Sequence, residues 1–302
     1  MFLFRNMKSA ALFGWAVAWF CIVATGCENS NCTKYNQGPD CDVDTDTDTD
    51  TDTDTDTDTD TDTDTGLQCL EDSVDCGQDE ENVFGVCVKN STVALKGGTV
   101  SLGENGTKSA QVPDFKIDRT LVTNEMYLAC VACKKCTRPK YDGSFTGREP
   151  YFGNKEFSNY PVIYVNWSQA REFCQARGMD LPTEAQWEYA ARGEEARKYP
   201  WGSDDPTRSL ANYNYNIGDT SEVDHYAKGV TPDGVFDMAG NVWEWTLDGF
   251  SENYAPDDKQ EIKVIKGGSF GSSADELPSY IRQSEHMESS MSTIGFRCVA
   301  AN

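Results

Sequence analysis

The sequence predicts a single α+β domain that begins at Ser91 and continues to residue 302. In this part of the chain the charges are mixed, glycine and proline recur at short intervals, and most of the tryptophans occur. Capping residues mark a few helices, and short runs of β-forming residues lie outside them. Two or three helices among many short strands and long loops are typical of an α+β domain.

The helices are predicted from residues that satisfy backbone groups at their ends. The third helix has the strongest signal, because Gln186 lies three residues after Thr183 and completes a capping box. The predicted helices begin and end near Thr123 and Cys133, Ser168 and Gly178, and Thr183 and Gly193. The predicted strands cover residues 99–102, 115–118, 161–165 and 263–266.

The N-terminus has the pattern of a signal peptide. Arg5 and Lys8 precede an apolar run over residues 10–25, which is short for a membrane-spanning helix. The run ends in Ala-Thr-Gly-Cys, which resembles a bacterial lipoprotein box and would leave Cys27 as the lipidated first residue. This predicts an extracytoplasmic, lipid-anchored protein of the cell envelope, at the outer membrane or cell surface. The alternative is ordinary cleavage and free secretion.

A low-complexity segment follows the predicted signal peptide. Residues 44–65 alternate Asp and Thr, and so many like charges without an apolar residue predict a disordered, extended spacer. Specific calcium binding by this run is disfavoured, because no glycine turns fix a ligand geometry. The chain is therefore divided into a signal peptide (1–27), a cysteine-bearing segment with the spacer (28–90) and the α+β domain (91–302).

Composition excludes several classes of function. A formal net charge of −24 argues against a nucleic-acid partner, since phosphate binding needs clustered Lys and Arg. Two histidines are too few for a histidine-rich metal centre or a histidine relay. Twelve cysteines indicate an oxidising compartment.

The cysteines are predicted to form disulfides. Once Cys21 leaves with the signal peptide and Cys27 is lipidated, ten cysteines remain, and an even number can pair completely. Cys130, Cys133 and Cys136 have the spacing of a zinc or cluster site, but no fourth ligand lies nearby and disulfides are favoured. Spacing leaves other pairings open, including whether Cys69, Cys76 and Cys87 form a small knot or pair with Cys32 or Cys41.

One stretch, over residues 234–248, carries a possible cation site. Two carboxylates lie seven residues apart with a glycine turn between them, and backbone carbonyls could complete an oxygen cage. The alternative is that the two tryptophans of this stretch are core anchors and that the acids cap turns. The candidate ligands are the side chains of Asp237 and Glu244 and the carbonyl oxygens of Gly240 and Val242.

Ordered motifs over residues 91–302 resemble the formylglycine-generating enzyme family, also called sulfatase-modifying factor domains. They are LPTEAQWEYAARG (181–193), YPWG (199–202), DMAGNVWEW (237–245), KGGSF (266–270) and GFRC (295–298), preceded by DRTLVTNEMY (118–127) and PVIYVNW (161–167). The resemblance implies a calcium-supported variant of the C-type-lectin-like fold, with little regular secondary structure.

The resemblance also implies roles for particular residues. It assigns structural Ca²⁺ to the side chains of Asp237 and Glu244 with the carbonyls of Gly240 and Val242. A second calcium site would begin at Asn212, although the loop that carries its acidic partner is shorter here. The resemblance further implies two disulfides, Cys174 with Cys298 and Cys130 with Cys136.

The sequence departs from the family at the active site. The enzymes oxidise a substrate cysteine with O₂ and Cu(I), which two thiolates hold shortly after the GGS motif; soft sulfur suits Cu(I) and oxygen does not. The matching positions here are Ser272 and Leu277, and no cysteine occurs between Cys174 and Cys298. Ser269 is retained where the family has an active-site serine.

Three functional classes follow. The first is a non-catalytic binding or scaffold domain at the cell surface, whose ligand or protein partner the sequence does not identify. The second is a copper-dependent formylglycine-generating oxidase, which the missing thiolates disfavour. The third is a different enzyme on the same scaffold; the iron-dependent sulfoxide synthases are excluded, because they need a histidine-rich partner domain. Five loop aromatics could line a binding surface or belong to the core: Tyr213, Tyr215, Tyr226, Phe250 and Tyr254.

Overall fold

The computed structural model describes residues 68–70, 74–106, 108–255 and 259–302. The predicted signal peptide, Cys27 and the Asp-Thr run lie outside these residues. Within them, no helix is long and apolar enough to span a bilayer.

Three α-helices, two short 3₁₀ turns and eleven strands make up the regular structure of the described residues. The helices are α1 (Asn124–Ala132), α2 (Trp167–Ala176) and α3 (Glu184–Arg192). The 3₁₀ turns cover Lys155–Phe157 and Ala274–Glu276. The strands are β1 (Glu80–Val83), β2 (Val86–Lys89), β3 (Thr92–Leu95), β4 (Gly98–Leu102), β5 (Lys108–Val112), β6 (Phe115–Asp118), β7 (Trp243–Gly249), β8 (Ile262–Lys266), β9 (Arg282–His286), β10 (Ile294–Gly295) and β11 (Val299–Ala301).

The helix starts follow the capping chemistry, with one correction. Thr123 caps α1, and the capping box of Thr183 with Gln186 begins α3, as predicted. The prediction that Ser168 caps α2 is wrong. The Asn166 side chain accepts the N–H of Gln169 at 2.9 Å, and the Gln169 side chain accepts the N–H of Asn166 at 3.0 Å. The Asn166 amide thus caps the helix two residues earlier than a serine-based rule places it.

The strands form several small sheets rather than one large sheet. The largest has the order β10-β7-β8-β9, with β10 parallel to β7 and the other neighbours antiparallel. A second sheet has the order β11-β6-β3, and two hairpins pair β1 with β2 and β4 with β5. Together with the three helices this is a mixed α+β fold, as predicted.

Three of the four predicted strands are present, and the strand predicted over residues 161–165 is not. Its only ladder contact is an isolated bridge between Pro161 and Thr123. Tyr164 has a φ of 59°, which lies in the left-handed region and breaks an extended run. The apolar residues there are buried as a loop: Val162 and Val165 are both inaccessible to solvent.

The main core lies between α1, α2 and β7. The Tyr127 and Phe173 rings stack at 5.6 Å between centroids, and Phe296 meets both edge-on. Trp245 is fully buried, and its indole N–H donates to the carbonyl of Val165 at 3.2 Å. The tryptophans of the 234–248 stretch are therefore core anchors, whatever the carboxylates of that stretch bind.

All eight cysteines of the described residues form disulfides. The structure contains both pairs that the family resemblance implies, and Cys133 pairs with Cys69. This pairing contradicts the metal-site interpretation of the three-cysteine motif, since all three sulfurs are consumed. The pairs are Cys69–Cys133, Cys76–Cys87, Cys130–Cys136 and Cys174–Cys298.

Candidate functional site

The loop that follows β8 contains Ser272 and Leu277, the two positions that the sequence resemblance matches to the copper ligands of the family. Gly267 and Gly268 lead out of the strand with φ values of 98° and 79°, which only glycine adopts without strain. The Ser269 N–H donates to Oγ of Ser272 at 3.1 Å, and Ser269 Oγ accepts the N–H of Gly271 at 3.3 Å. Both serine hydroxyls thus stabilise the turn itself.

Leu277 closes this loop from the other side. Its side chain is fully buried, and a methyl group added at Gly268 would lie 2.8 Å from its Cδ2 atom. Leu277 packs in a small cluster with Tyr199 and Ala211, against the partly buried rings of Trp201 and Tyr213. The two positions that the resemblance matches to the copper thiolates therefore hold a hydrocarbon and a hydrogen-bonded hydroxyl, and this donor set does not fit Cu(I).

An exposed aromatic cluster lies next to the loop. The rings of Phe145 and Tyr215 are 54% and 56% exposed, and each lies close to buried Phe270, with centroid distances of 5.5 Å and 6.2 Å. Two backbone hydrogen bonds fix the tyrosine to the loop. The Tyr215 N–H donates to the carbonyl oxygen of Phe270 at 2.7 Å, and the Asn214 N–H donates to the carbonyl oxygen of Ser272 at 2.8 Å. Loop and aromatic cluster form one surface.

The other loop aromatics lie elsewhere. Tyr226 is buried, and the rings of Phe250 and Tyr254 contact the Arg282 guanidinium at 4.6 Å and 4.2 Å from their centroids. Phe145 did not emerge from the sequence, because it stands in a loop with no periodic pattern and no motif. Its contact with Phe270, a motif residue 125 positions away, becomes visible only in the fold.

The predicted calcium segment has a well-defined geometry. Asp237 is half-buried with a φ of 55°, and its Oδ2 atom accepts the N–H of Asp224 at 2.8 Å. Burial raises the pKa of Asp237 to about 6, and the charges of Asp224 and Glu244 act in the same direction. The Asp224 N–H and the Arg297 guanidinium oppose this rise. The segment therefore concentrates negative charge that a cation would neutralise.

Glu244, the other predicted carboxylate ligand, is bound by an arginine of the chain. Both side chains are fully buried, with Arg297 Nε 2.6 Å from Oε2 and Nη2 2.9 Å from Oε1. The same guanidinium donates to the carbonyls of Phe236 at 2.8 Å and Asp118 at 3.2 Å. A calcium ion held here would share the Glu244 carboxylate with Arg297.

Asn212 lies beside this segment. Its backbone carbonyl accepts the Asn241 N–H at 2.8 Å, and a side chain at Gly240 would collide with that carbonyl, at 2.4 Å. The Asn212 side chain is buried and donates to the Asp219 carbonyl at 2.8 Å, while its Oδ1 atom has no hydrogen-bond partner. An orphaned buried oxygen is costly, and a hard cation is one group that would satisfy it.

The Asp219 carboxylate is satisfied without a cation. It accepts from both the hydroxyl and the N–H of Thr146, at 2.6 Å and 3.0 Å, and from the Ser144 hydroxyl at 2.6 Å. Burial alone would raise the pKa of Asp219, but these hydrogen bonds hold it below its ordinary value. No three His, Cys, Asp or Glu side chains cluster as a metal site within the described ranges, so a calcium ion would rely on carbonyl and amide oxygens.

Comparison with known proteins agrees with this architecture. Residues 82–302 match the family model described as "Sulfatase-modifying factor enzyme 1-like domain". The chain is 35% identical over 168 residues to the inactive C-alpha-formylglycine-generating enzyme 2 of Bos taurus, covering 50% of this chain and 54% of the relative. It is 34% identical over 166 residues to the formylglycine-generating enzyme of Streptomyces coelicolor, covering 46% and 52%. The chain thus spans about half the length of these curated relatives.

A solved structure shows the same fold. The Treponema denticola variable protein 1 superposes with a TM-score of 0.59 at 24% sequence identity, covering 74% of this chain and 98% of that one. This likeness supports the C-type-lectin-like architecture that the motifs imply.

Replacing Arg297 by methionine is expected to destabilise the fold by about 3–5 kcal/mol, because Glu244 would remain buried without its counter-charge. The double variant Arg297→Met/Glu244→Leu is expected to recover much of this loss. Urea unfolding, monitored by tryptophan fluorescence, measures the free energy of unfolding of both variants.

Arg171→Met is the matched control. Arg171 pairs with Asp180 at 2.9 Å, but both side chains are about one-third exposed, at 31% and 34%. Its loss is expected to cost about 1 kcal/mol or less. Equal losses of unfolding free energy in the Arg297 and Arg171 variants would contradict the prediction that the buried Arg297–Glu244 pair stabilises the fold.

Proposed function

Since the chain belongs to the sulfatase-modifying factor family, we propose that it is a non-catalytic member: a calcium-supported binding or scaffold domain displayed at the cell surface. The observation that carries this proposal is that Ser272 and Leu277 stand at the two positions matched to the copper ligands of the family. Ser272 is committed to the Ser269 turn, and Leu277 is packed into a hydrophobic cluster. Neither side chain supplies the soft ligand that Cu(I) requires.

The cysteines outside this loop do not supply the missing ligands. Each of the eight described cysteines is in a disulfide, so none of them offers a thiolate. One relative, at 35% identity, carries the word "inactive" in its name, which supports the existence of non-catalytic members. The absence of thiolate ligands from the loop of this chain supports the proposal that it is such a member.

The binding surface is proposed to be the aromatic cluster beside the altered loop. Phe145 and Tyr215 expose large rigid rings at little entropic cost, and backbone bonds to the loop hold Tyr215 in place. Function on such folds lies on loops carried by a rigid frame. The alternative, a formylglycine-generating oxidase acting on a sulfatase cysteine, requires chemistry at the neighbouring loop instead.

Copper loading distinguishes these functions. The purified full chain, supplied with reduced copper, O₂ and a cysteine-containing sulfatase peptide, is expected to retain no stoichiometric copper and to form no aldehyde. Metal analysis, oxygen uptake and peptide mass spectrometry measure these outcomes.

The variant Ser272→Cys/Leu277→Cys is the positive control, since it restores two thiolates and is expected to bind about one Cu(I) per chain. Aldehyde formation by the unaltered chain would overturn the non-catalytic proposal.

Calcium support is proposed from the hard oxygens around Asp237 and from the orphaned amide oxygen of Asn212. Chelation is expected to lower the melting temperature by roughly 5 °C if calcium is present well above its dissociation constant. Asp237→Ala should remove most of that shift in a thermal melt, while Asp275→Ala, at an exposed acid, should not. Equal shifts in all three proteins would argue against this site.

The lipid anchor is proposed from the Ala-Thr-Gly-Cys ending of the apolar N-terminal run. Four disulfides within the described residues indicate an oxidising environment, which is consistent with export. Mass spectrometry of the mature N-terminus is expected to find acylated Cys27, and Cys27→Ser should release the protein from membranes. An unmodified N-terminus in both proteins would refute the anchor.

A further inference from the structure

A strongly cationic surface lies just beyond the C-terminal end of α1. Four of seven consecutive residues there are Lys or Arg, although the chain as a whole carries a net charge of −24. Between Glu125 and Glu149 the sequence contains a single acidic residue, Asp142. We name the four exposed cationic side chains the basic strip: Lys134, Lys135, Arg138 and Lys140.

The backbone of the basic strip is held in one conformation. Two disulfides, Cys130–Cys136 and Cys69–Cys133, bracket its first half. In its second half, the Gln169 side-chain amide donates to the Arg138 carbonyl at 2.9 Å, and the Lys140 N–H donates to the Tyr164 carbonyl at 3.0 Å. A preorganised surface loses little entropy when a ligand binds.

Three of the four charges of the strip are not used in ion pairs within the described residues. Lys134, Arg138 and Lys140 form no ion pair with any carboxylate in the described part of the chain, whereas buried arginines such as Arg297 do. Arg138 and Lys140 instead lie over aromatic rings, at 5.2 Å from the Phe152 centroid and 5.6 Å from that of Tyr141. Their positive charge remains available to an external anion.

An exposed aromatic ring adjoins these cations. Tyr141 is 55% exposed and is supported edge-on by Tyr164, with 5.2 Å between ring centroids. An amphipathic ring presents an apolar face together with a hydroxyl, which suits the apolar face of a sugar. Cations beside such a ring favour a sugar that also carries negative charge.

We propose that the basic strip and Tyr141 bind a polyuronate, a polysaccharide whose sugars each carry one carboxylate. The planar Arg138 guanidinium matches a carboxylate through paired N–H donors, and the lysines add point charges along the chain. One charge per sugar suits four cations beside one ring, whereas a densely sulfated chain carries more charge than the strip neutralises. The oxidising environment that the disulfides indicate favours an extracellular polysaccharide over nucleic acid.

Calorimetric titration of the full chain with polygalacturonate at increasing NaCl tests this proposal. Replacing Lys134, Lys135, Arg138 and Lys140 by Gln is expected to weaken binding by about tenfold or more and to flatten its salt dependence, because fewer counterions are released. Tyr141→Ala is expected to weaken binding without changing the salt slope, because it removes contact area and no charge.

The matched control replaces four exposed lysines elsewhere, Lys96, Lys116, Lys155 and Lys228, by Gln, which changes the net charge equally. Its affinity is expected to stay within about twofold of the unaltered chain. The proposal is overturned if this control loses as much affinity as the strip variant, or if polygalacturonate does not bind. It is also overturned if the strip prefers heparin at equal charge concentration, a DNA oligonucleotide or phosphatidylglycerol vesicles.

Discussion

The buried Arg297–Glu244 pair is the interaction on which much of this fold depends. Arg297 follows β10, and its guanidinium reaches Glu244 in β7, the carbonyl of Asp118 at the end of β6, and the carbonyl of Phe236. One side chain thus joins the C-terminal segment to two sheets and to the acidic stretch over residues 234–248. Because the strands are short and the loops are long, this buried ion pair makes connections that backbone hydrogen bonds between strands make in larger sheets.

A second buried charge network holds the loop that carries Ser272 and Leu277. Lys266, the last residue of β8, is fully buried, and its Nζ atom lies 2.9 Å from Oε2 of Glu188 in α3. Arg192 binds the other oxygen of the same carboxylate at 2.7 Å. Burial raises the pKa of neighbouring Glu184, although Lys266 and Arg282 counter this rise. Because Lys266 directly precedes the glycine turn, this network fixes where the loop begins.

Local chemistry made part of this fold predictable. Thr183 and Gln186 specify the start of α3 within four residues, so the capping box alone was sufficient. The left-handed Tyr164 could not be foreseen, because the run from residue 161 to 165 is rich in β-branched residues and its conformation depends on distant packing. Propensity was overruled there by tertiary contacts.

For the candidate functional site, the sequence predicts which residue types are present but not which of them come into contact. The absence of thiols between residues 174 and 298 is a property of the sequence, and it defined the chemical question at once. The ion pair between residues 244 and 297 and the contact of Phe145 with Phe270 join positions that are 53 and 125 residues apart. No local sequence pattern predicts such pairs, because the two residues come into contact only when distant segments of the chain pack together.

The separation between frame and pocket allows this loop to lack copper ligands while the rest of the fold is kept. Neither Ser272 nor Leu277 belongs to the two buried charge networks, so both positions could change while the motifs around them stayed. Burying a leucine in a packed cluster contributes about 1.5–3 kcal/mol, which favours the closed loop. Two free thiols in an oxidising environment would instead be exposed to disulfide formation when copper is absent. A hydroxyl and a hydrocarbon avoid that reaction, and they leave the adjacent aromatic surface on a stable support.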